Sequence, residues 1–101
     1  MFRVFISTNM TVDGDGNFEP LIQNTEVNRY PCWVELVGDD GSTIYESSVI
    51  QPGYKIEQDV LETTLTRGAH NCIAKFHVLE SDEEGAREIN TVGVDVVLVQ
   101  Y

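Results

Sequence analysis

The side chains best suited to do chemistry cluster in one stretch, Ala69-His70-Asn71-Cys72-Ile73-Ala74-Lys75-Phe76-His77. A thiol beside an imidazole is the pairing of a nucleophile and its general base, and it works only when a third group orients the imidazole toward the sulfur. If the stretch is a strand, residues of equal parity share a face, so His70 lies on the side of Cys72 and His77 on the other. No third group is placed to orient His70. The two histidines and two cysteines match neither C-x-x-C nor H-x-x-x-H metal spacing. The chain also lacks G-x-S-x-G, a glycine-rich phosphate loop and a framed pair of carboxylates. The expectation is a chain that does not catalyse, with no catalytic residue, no metal ligand set and no cofactor.

Asp13-Gly14-Asp15-Gly16-Asn17 places oxygen ligands at alternate positions, as calcium loops do. It fails the EF-hand pattern, because Phe18 stands where the glycine belongs and Asn24 where the bidentate glutamate belongs. A polar hairpin turn is expected there, with a weak cation site at Asp13 and Asp15 as the alternative. Cys32 and Cys72 both fall on expected inward faces. An intersheet disulfide and a pair of free core thiols are both compatible with that placement. Trp33 next to the first cysteine, instead of on the following strand, departs from the antibody arrangement. Parity turns Trp33 away from the core, so it is the candidate binding residue: an aromatic left at a surface anchors a partner or a sugar ring, unless its own chain covers it.

The elements that must position these residues are strands. Thr43 to Leu65 reads as strand, tight turn, strand, with Pro52 presetting its φ and Gly53 free to take the positive φ of a type II turn. Residues 2–12 read as one strand, and Phe18 to Asn24 as a short one at an edge because Pro20 cannot donate a ladder hydrogen bond. Leu21 and Ile22 are expected to pack. In 28–37, Tyr30, Cys32, Val34 and Leu36 are expected inward, with Pro31, Trp33 and Glu35 outward. Gly38 to Ser42 is a hairpin loop, and the faces of 43–50 conflict, so either a bulge shifts the register or both faces are covered. Cys72, Ala74, Phe76 and Val78 fall opposite Asn71, Lys75 and His77, and near the end, after an acidic turn at 81–85, Val94, Val96 and Leu98 fall opposite Asp95, while Val97 and Val99 also need cover. About seven strands and no convincing helix describe an all-β, two-sheet antiparallel sandwich occupying residues 1–101 as a single domain.

Seventeen acidic against six basic side chains give a formal net charge of −11. Such a surface repels nucleic acid and acidic lipid, and keeps a domain soluble. The 42% hydrophobic content is that of a folded chain, so the charge does not signify disorder. No run has the length of a membrane span or the pattern of a signal peptide, and direct insertion in a membrane is not expected. Met1 is either a true start or stands where an export segment has been removed.

Ile44-Tyr45-Glu46-Ser47, Ile50 with Pro52-Gly53, then Ile56, Leu61, Leu65, Gly68 and the closing valine-rich strand form a succession with a familiar outline. Together with Leu21-Ile22-Gln23-Asn24 and Asn28-Arg29-Tyr30, it resembles a small immunoglobulin-like module of uncharacterised secreted or lipid-anchored proteins of Gram-positive gut anaerobes. The resemblance implies a β-sandwich at the cell surface or outside the cell, with no catalytic residues to carry over. Such modules usually place a tyrosine after the glycine, where this chain has His70. A corner hydrogen bond of the tyrosine kind is therefore expected to be weakened or lost. The function expected is a noncatalytic extracellular binding or spacer module with a protein or glycan partner. The alternative is a small inhibitor or regulator of an extracellular hydrolase, presenting a loop such as 38–42 or 80–87 to an enzyme cleft.

Overall fold

A computed structural model describes residues 2–101, which form ten strands and no helix. In chain order they are β1 (Val4–Phe5), β2 (Asn9–Val12), β3 (Asn17–Phe18), β4 (Ile22–Asn24), β5 (Cys32–Gly38), β6 (Thr43–Glu46), β7 (Lys55–Ile56), β8 (Asp59–Val60), β9 (Gly68–Leu79) and β10 (Glu88–Gln100). One five-stranded sheet runs β2-β10-β9-β5-β6, antiparallel except for the parallel pair β2 and β10. The other strands make a three-stranded sheet, β1-β4-β7, and a two-stranded one, β3-β8. The all-β expectation is therefore met, with ten strands in place of about seven.

The long hairpin of β9 and β10 is the centre of the molecule. Its one-sided alternation buries Cys72, Ala74, Phe76 and Val78 along β9, and Val96 and Leu98 along β10. Cys32, Val34 and Leu36 of β5 continue that apolar face, and Met10 and Val12 of β2 complete it on the far side. Phe18, Ile22, Ile50 and Leu61 press against it from the short strands and their connections. Each fully buried aliphatic or aromatic side chain contributes about 1.5–3 kcal/mol through lost apolar surface.

The extra strands come from breaks whose causes are visible in the residues. Asn17 pairs with Val60 and Phe18 with Asp59, while Ile22 pairs with Ile56 and Gln23 with Lys55. Between these two runs lie Glu19, Pro20 and Leu21 on one side and only Glu57 and Gln58 on the other. One residue is in excess, so the two pairings do not run on into one ladder, and Pro20, which has no N–H to donate, lies in the break. Leu21 takes up the irregularity at φ 50° and is 50% exposed, so the expected packing of Leu21 is corrected and Ile22 alone is buried.

The expected single strand at 2–12 is likewise two. β1 joins the three-stranded sheet and β2 the large one, with Ile6 to Thr8 crossing between them. At the start of β5, Tyr30 is exposed and Pro31 buried, the reverse of expectation, because the pleat that dictates alternation begins only at Cys32. The conflict in 43–50 is settled by a register shift between Leu36 and Val37, which lets Ile44 and Tyr45 both be buried.

The Pro52-Gly53 turn is present: Tyr54 N–H donates to Gln51 C=O at 3.0 Å, and Gly53 has φ 87°. It does not close a hairpin. Ile50 bridges to Cys32 of the large sheet, whereas Lys55 and Ile56 pair with β4, so the turn carries the chain from one sheet to the other.

Candidate functional site

The outer face of the five-stranded sheet carries the most organised group of side chains. Register sets Trp33 of β5 opposite His77 of β9, and His77 opposite Thr91 of β10. All three therefore project from the same face. The indole and imidazole rings are stacked, with centroids 4.2 Å apart and planes 19° from parallel. His77 Nε2 lies 2.9 Å from Glu35 Oε1, and its Nδ1 lies 2.6 Å from Glu88 Oε1. The outer oxygens of both carboxylates are occupied as well. Thr43 donates its hydroxyl to Glu35 Oε2, and Thr91 donates to Glu88 Oε2 at 2.7 Å.

These contacts determine the electrostatics. The Thr43 hydroxyl, and after it His77, hold the Glu35 carboxyl below the ordinary glutamate range. Thr91 and then His77 do the same for Glu88. Both carboxylates are thus stabilised in the charged form by hydrogen bonding. The assembly fixes the imidazole at both nitrogens and so fixes the ring against which Trp33 rests. Trp33 points away from the core as its parity requires, and its partial cover is supplied by this chain's own His77. Nothing in the alternation of 69–79 reveals the clamp, because Glu35 is 42 residues from His77 in sequence.

The other candidates are drawn apart. Cys32 lies opposite Val78 and Cys72 opposite Gly38, so the cysteines stand on neighbouring strands of one sheet, six residues out of register. At about 3.3 Å per residue that is on the order of 20 Å, far beyond the reach of a disulfide. Both are buried free thiols. Burial pushes the Cys32 thiol up to about 12, and burial, then the charge of Asp39, raises that of Cys72. His70 does not serve Cys72: its Nε2 lies 2.6 Å from Thr66 C=O, and the Cys72 thiol is directed at the His70 carbonyl oxygen, 3.6 Å away. The imidazole of His70 is thus tied to the backbone four residues upstream.

At the Asp13 loop the carboxylate is consumed by its own turn. Asp13 Oδ1 accepts from the N–H groups of Asp15 and Asn17, both at 2.9 Å, and Oδ2 accepts from the Asn17 carboxamide at 3.2 Å. Backbone and side-chain donation from Asn17 lowers its pKa. This is an Asx-type turn, and it answers for the residue types without a cation. The two loops considered for an enzyme cleft lie at opposite ends of the sheet, since 38–42 follows the Cys72 end of β5 and 80–87 adjoins its Cys32 end.

A buried polar knot was not legible in the sequence. Asn24 Nδ2 donates to Ile50 C=O at 2.8 Å and to Tyr30 C=O at 3.0 Å, while Asn24 Oδ1 accepts from Asn28 Nδ2 at 2.6 Å. Asn28 in turn accepts from Arg3 N–H and donates to Arg3 C=O. The knot ties the first strand, the 24–30 loop and the sheet crossing into one unit. Only the repeated asparagines hinted at it. Comparison with protein-family models, with curated proteins and with solved structures finds no match.

Proposed function

We propose that this chain is a noncatalytic binding or spacer module of immunoglobulin-like design, displayed outside the cell, whose contact face is the outer side of the five-stranded sheet. Its partner is a protein or a glycan. The observation that carries this reading is the Trp33–His77 stack clamped by Glu35 and Glu88. An aromatic pair already immobilised loses little side-chain entropy when a partner docks, which is the advantage of a preorganised surface. The immunoglobulin-like design is supported by the division of strands. β5, β9 and β10 share one sheet and β1, β4 and β7 another, like the C, F, G and A, B, E groups of that sandwich. The His70 corner, two residues before Cys72, also supports it.

The test is a binding screen against glycans, cell-wall polymers and secreted proteins, followed by Trp33 fluorescence, with generic hydrolase assays run beside it. Binding that is lost in Trp33→Ala and retained in Trp33→Phe is the expected result. Turnover abolished by Cys72→Ala or His70→Ala would overthrow the noncatalytic reading.

A further inference from the structure

The lane of the five-stranded sheet beside β10 is only half filled. β2 pairs with residues 97–100 of β10, and residues 89–95 have no strand on that side. We propose that an extended segment of a partner protein, basic and carrying one aromatic residue, adds there as an antiparallel strand along residues 91–95. The proposal concerns the edge of the sheet and does not depend on what Trp33 binds.

Main-chain geometry supplies the first argument. Val97 N–H donates to Thr8 C=O and Tyr101 N–H to Val12 C=O, so odd-numbered residues here face the β2 side and even-numbered ones face β9. Thr91, Gly93 and Asp95 therefore turn their main-chain groups to the open side. Thr91 N–H donates to Asn90 Oδ1 at 2.9 Å. The Thr91 carbonyl and both groups of Gly93 and of Asp95 have no partner among the described residues. Such an edge is a template for strand addition, and edges not used that way are shielded by charge, proline or a covering segment. Residues 90–94 carry neither charge nor proline. The chain closes the lane only at Thr8, beside Val97, which limits the incoming strand to the stretch before it.

The core supplies the second argument. Pairing with Phe76 and Ala74 turns Val92 and Val94 toward the same core as Val96 and Leu98. Val96 and Leu98, near β2, are 2% and 0% exposed, whereas Val92 and Val94, beside the open lane, are only half-buried. A strand in the lane with apolar residues opposite these two valines completes their cover.

Gly93 supplies the third. Its φ is not positive, and an added Cβ would meet nothing nearer than Ile73 Cγ2 at 3.6 Å, an ordinary contact. Neither conformation nor crowding within the chain calls for glycine there, although glycine weakens a strand and marks places where another backbone comes close. On the outer face it leaves a gap beside Ile73, whose apolar side chain is 44% exposed. An aromatic ring on a neighbouring strand covers such a gap at a sheet edge. Charge supplies the fourth. Asp95 projects from the same outer face and enters no ion pair among the described residues. Together with the −11 of the whole chain, it favours a cation on the incoming strand and opposes a second copy. The segment that fits thus has a cation opposite Asp95, apolar residues opposite Val94 and Val92, and an aromatic opposite Gly93.

The probe is acetyl-Lys-Val-Tyr-Val-Thr-amide, titrated into the isotopically labelled chain at low salt and followed by amide chemical shifts and hydrogen exchange. Near saturation the Gly93 and Asp95 amides, unpartnered in the free chain, should exchange about tenfold more slowly, while those of Val92 and Val94, already paired with β9, change little. Antiparallel pairing aims the probe's tyrosine N–H at Gly93 C=O and the N–H groups of both its valines away. N-methylation of the tyrosine should therefore abolish binding, and N-methylation of both valines should leave it intact. Glu in place of Lys in the probe, or Asp95→Lys in the chain, should weaken binding about tenfold or more, the size of a lost charge-assisted contact. Alanine in place of the tyrosine should also weaken binding to the parent, and Gly93→Val should remove that difference by filling the gap. If Gly93→Val fails to fold, the methylated probes decide. Absence of binding by the parent probe, equal binding by the two methylated probes, or a complex in which Gly93 and Asp95 gain no protection would overturn strand addition. A chain that sediments as a dimer, with Gly93 and Asp95 protected before any peptide is added, would overturn the peptide as the occupant.

Discussion

Cys32 and Cys72 face the same core from neighbouring strands yet lie at opposite ends of the ladder, the first opposite Val78 and the second opposite Gly38. No side-chain rotation closes a gap on the order of 20 Å, so an intramolecular bridge would require the β5 and β9 pairing to be broken. Protein exposed to air and then unfolded without reductant should titrate two thiols per chain. A monomer mass short by two hydrogens would refute the pairing of β5 with β9. In the folded state alkylation should be slow, since burial raises both thiols above their ordinary range.

The His70 contact with Thr66 C=O spans four residues and fastens the approach to β9. His70→Ala should cost about 0.5–1.5 kcal/mol, the net value of a hydrogen bond of this kind. His70→Tyr should recover most of it, because a phenol can reach the same upstream backbone. Chemical denaturation of the three proteins checks this. An alanine variant with the parent midpoint would show that the corner contact carries no stability.

Two glycines at positive φ differ in a way that separates strain from crowding. At Gly53 an added Cβ would meet nothing nearer than Glu26 Cβ at 3.7 Å, so Gly53→Ala costs only the conformational strain, about 1–2 kcal/mol. At Gly16 the Cβ would come within 2.9 Å of Leu61 C=O, the residue whose N–H donates to Gly16 C=O. Gly16→Ala should therefore be the more destabilising of the two by denaturant midpoint, and the reverse order would contradict the close approach of the Asp13 turn to the chain after β8.

The legible and illegible parts of this fold divide by range. The alternation of Cys32, Val34 and Leu36 or of Cys72, Ala74, Phe76 and Val78 states its own face, because each strand is long and one side is buried along its length. The glycines of the Gly38–Ser42 and Pro52-Gly53 turns declare themselves through the φ they permit. Leu21 could not, since its exposure goes with the break between the β3–β8 and β4–β7 pairings. The His77 clamp and the Asn24 knot are set by partners brought together through strand register and sheet crossing, so no local pattern encodes them.

Acid should expose the clamp around His77. The folded pKa of Glu35 is depressed below the unfolded value, near 4.5, chiefly by the Thr43 hydroxyl and then by His77. Such a group contributes stability that is fully present above the unfolded pKa and is lost as pH falls through the folded one. The parent should therefore lose stability from about pH 5 downward more steeply than Glu35→Gln, whose side chain does not ionise. Denaturant midpoints measured from neutral pH into acid test the sign. A Glu35→Gln curve parallel to the parent's would mean that the carboxylate is not held in its charged form.

Asn24 is 0% exposed and its carboxamide makes three contacts, donating to the carbonyls of Tyr30 and Ile50 and accepting from Asn28. Its main chain is equally engaged, with Gly53 N–H donating to Asn24 C=O at 2.7 Å and Asn24 N–H donating to Tyr54 C=O at 3.1 Å. Replacing it by leucine keeps the bulk near that of the amide but leaves Tyr30 C=O without its donor, while Ile50 C=O keeps only Cys32 N–H and Asn28 Nδ2 keeps only Arg3 C=O. The unpartnered Tyr30 carbonyl costs about 1–3 kcal/mol and each further lost hydrogen bond about 0.5–1.5 kcal/mol, a sizeable part of the 5–15 kcal/mol that holds a domain of this size together. Asn24→Leu should therefore shift the chain to a clearly lower denaturant midpoint. Asn24→Asp leaves one oxygen to accept from Asn28 but loses both donations, and its charge is buried beside carbonyl oxygens, so it should be no better at neutral pH. Far-UV circular dichroism with urea titration decides the matter. A leucine variant as stable as the parent would mean that the 24–30 loop and the sheet crossing are held by their apolar neighbours and that the knot is dispensable.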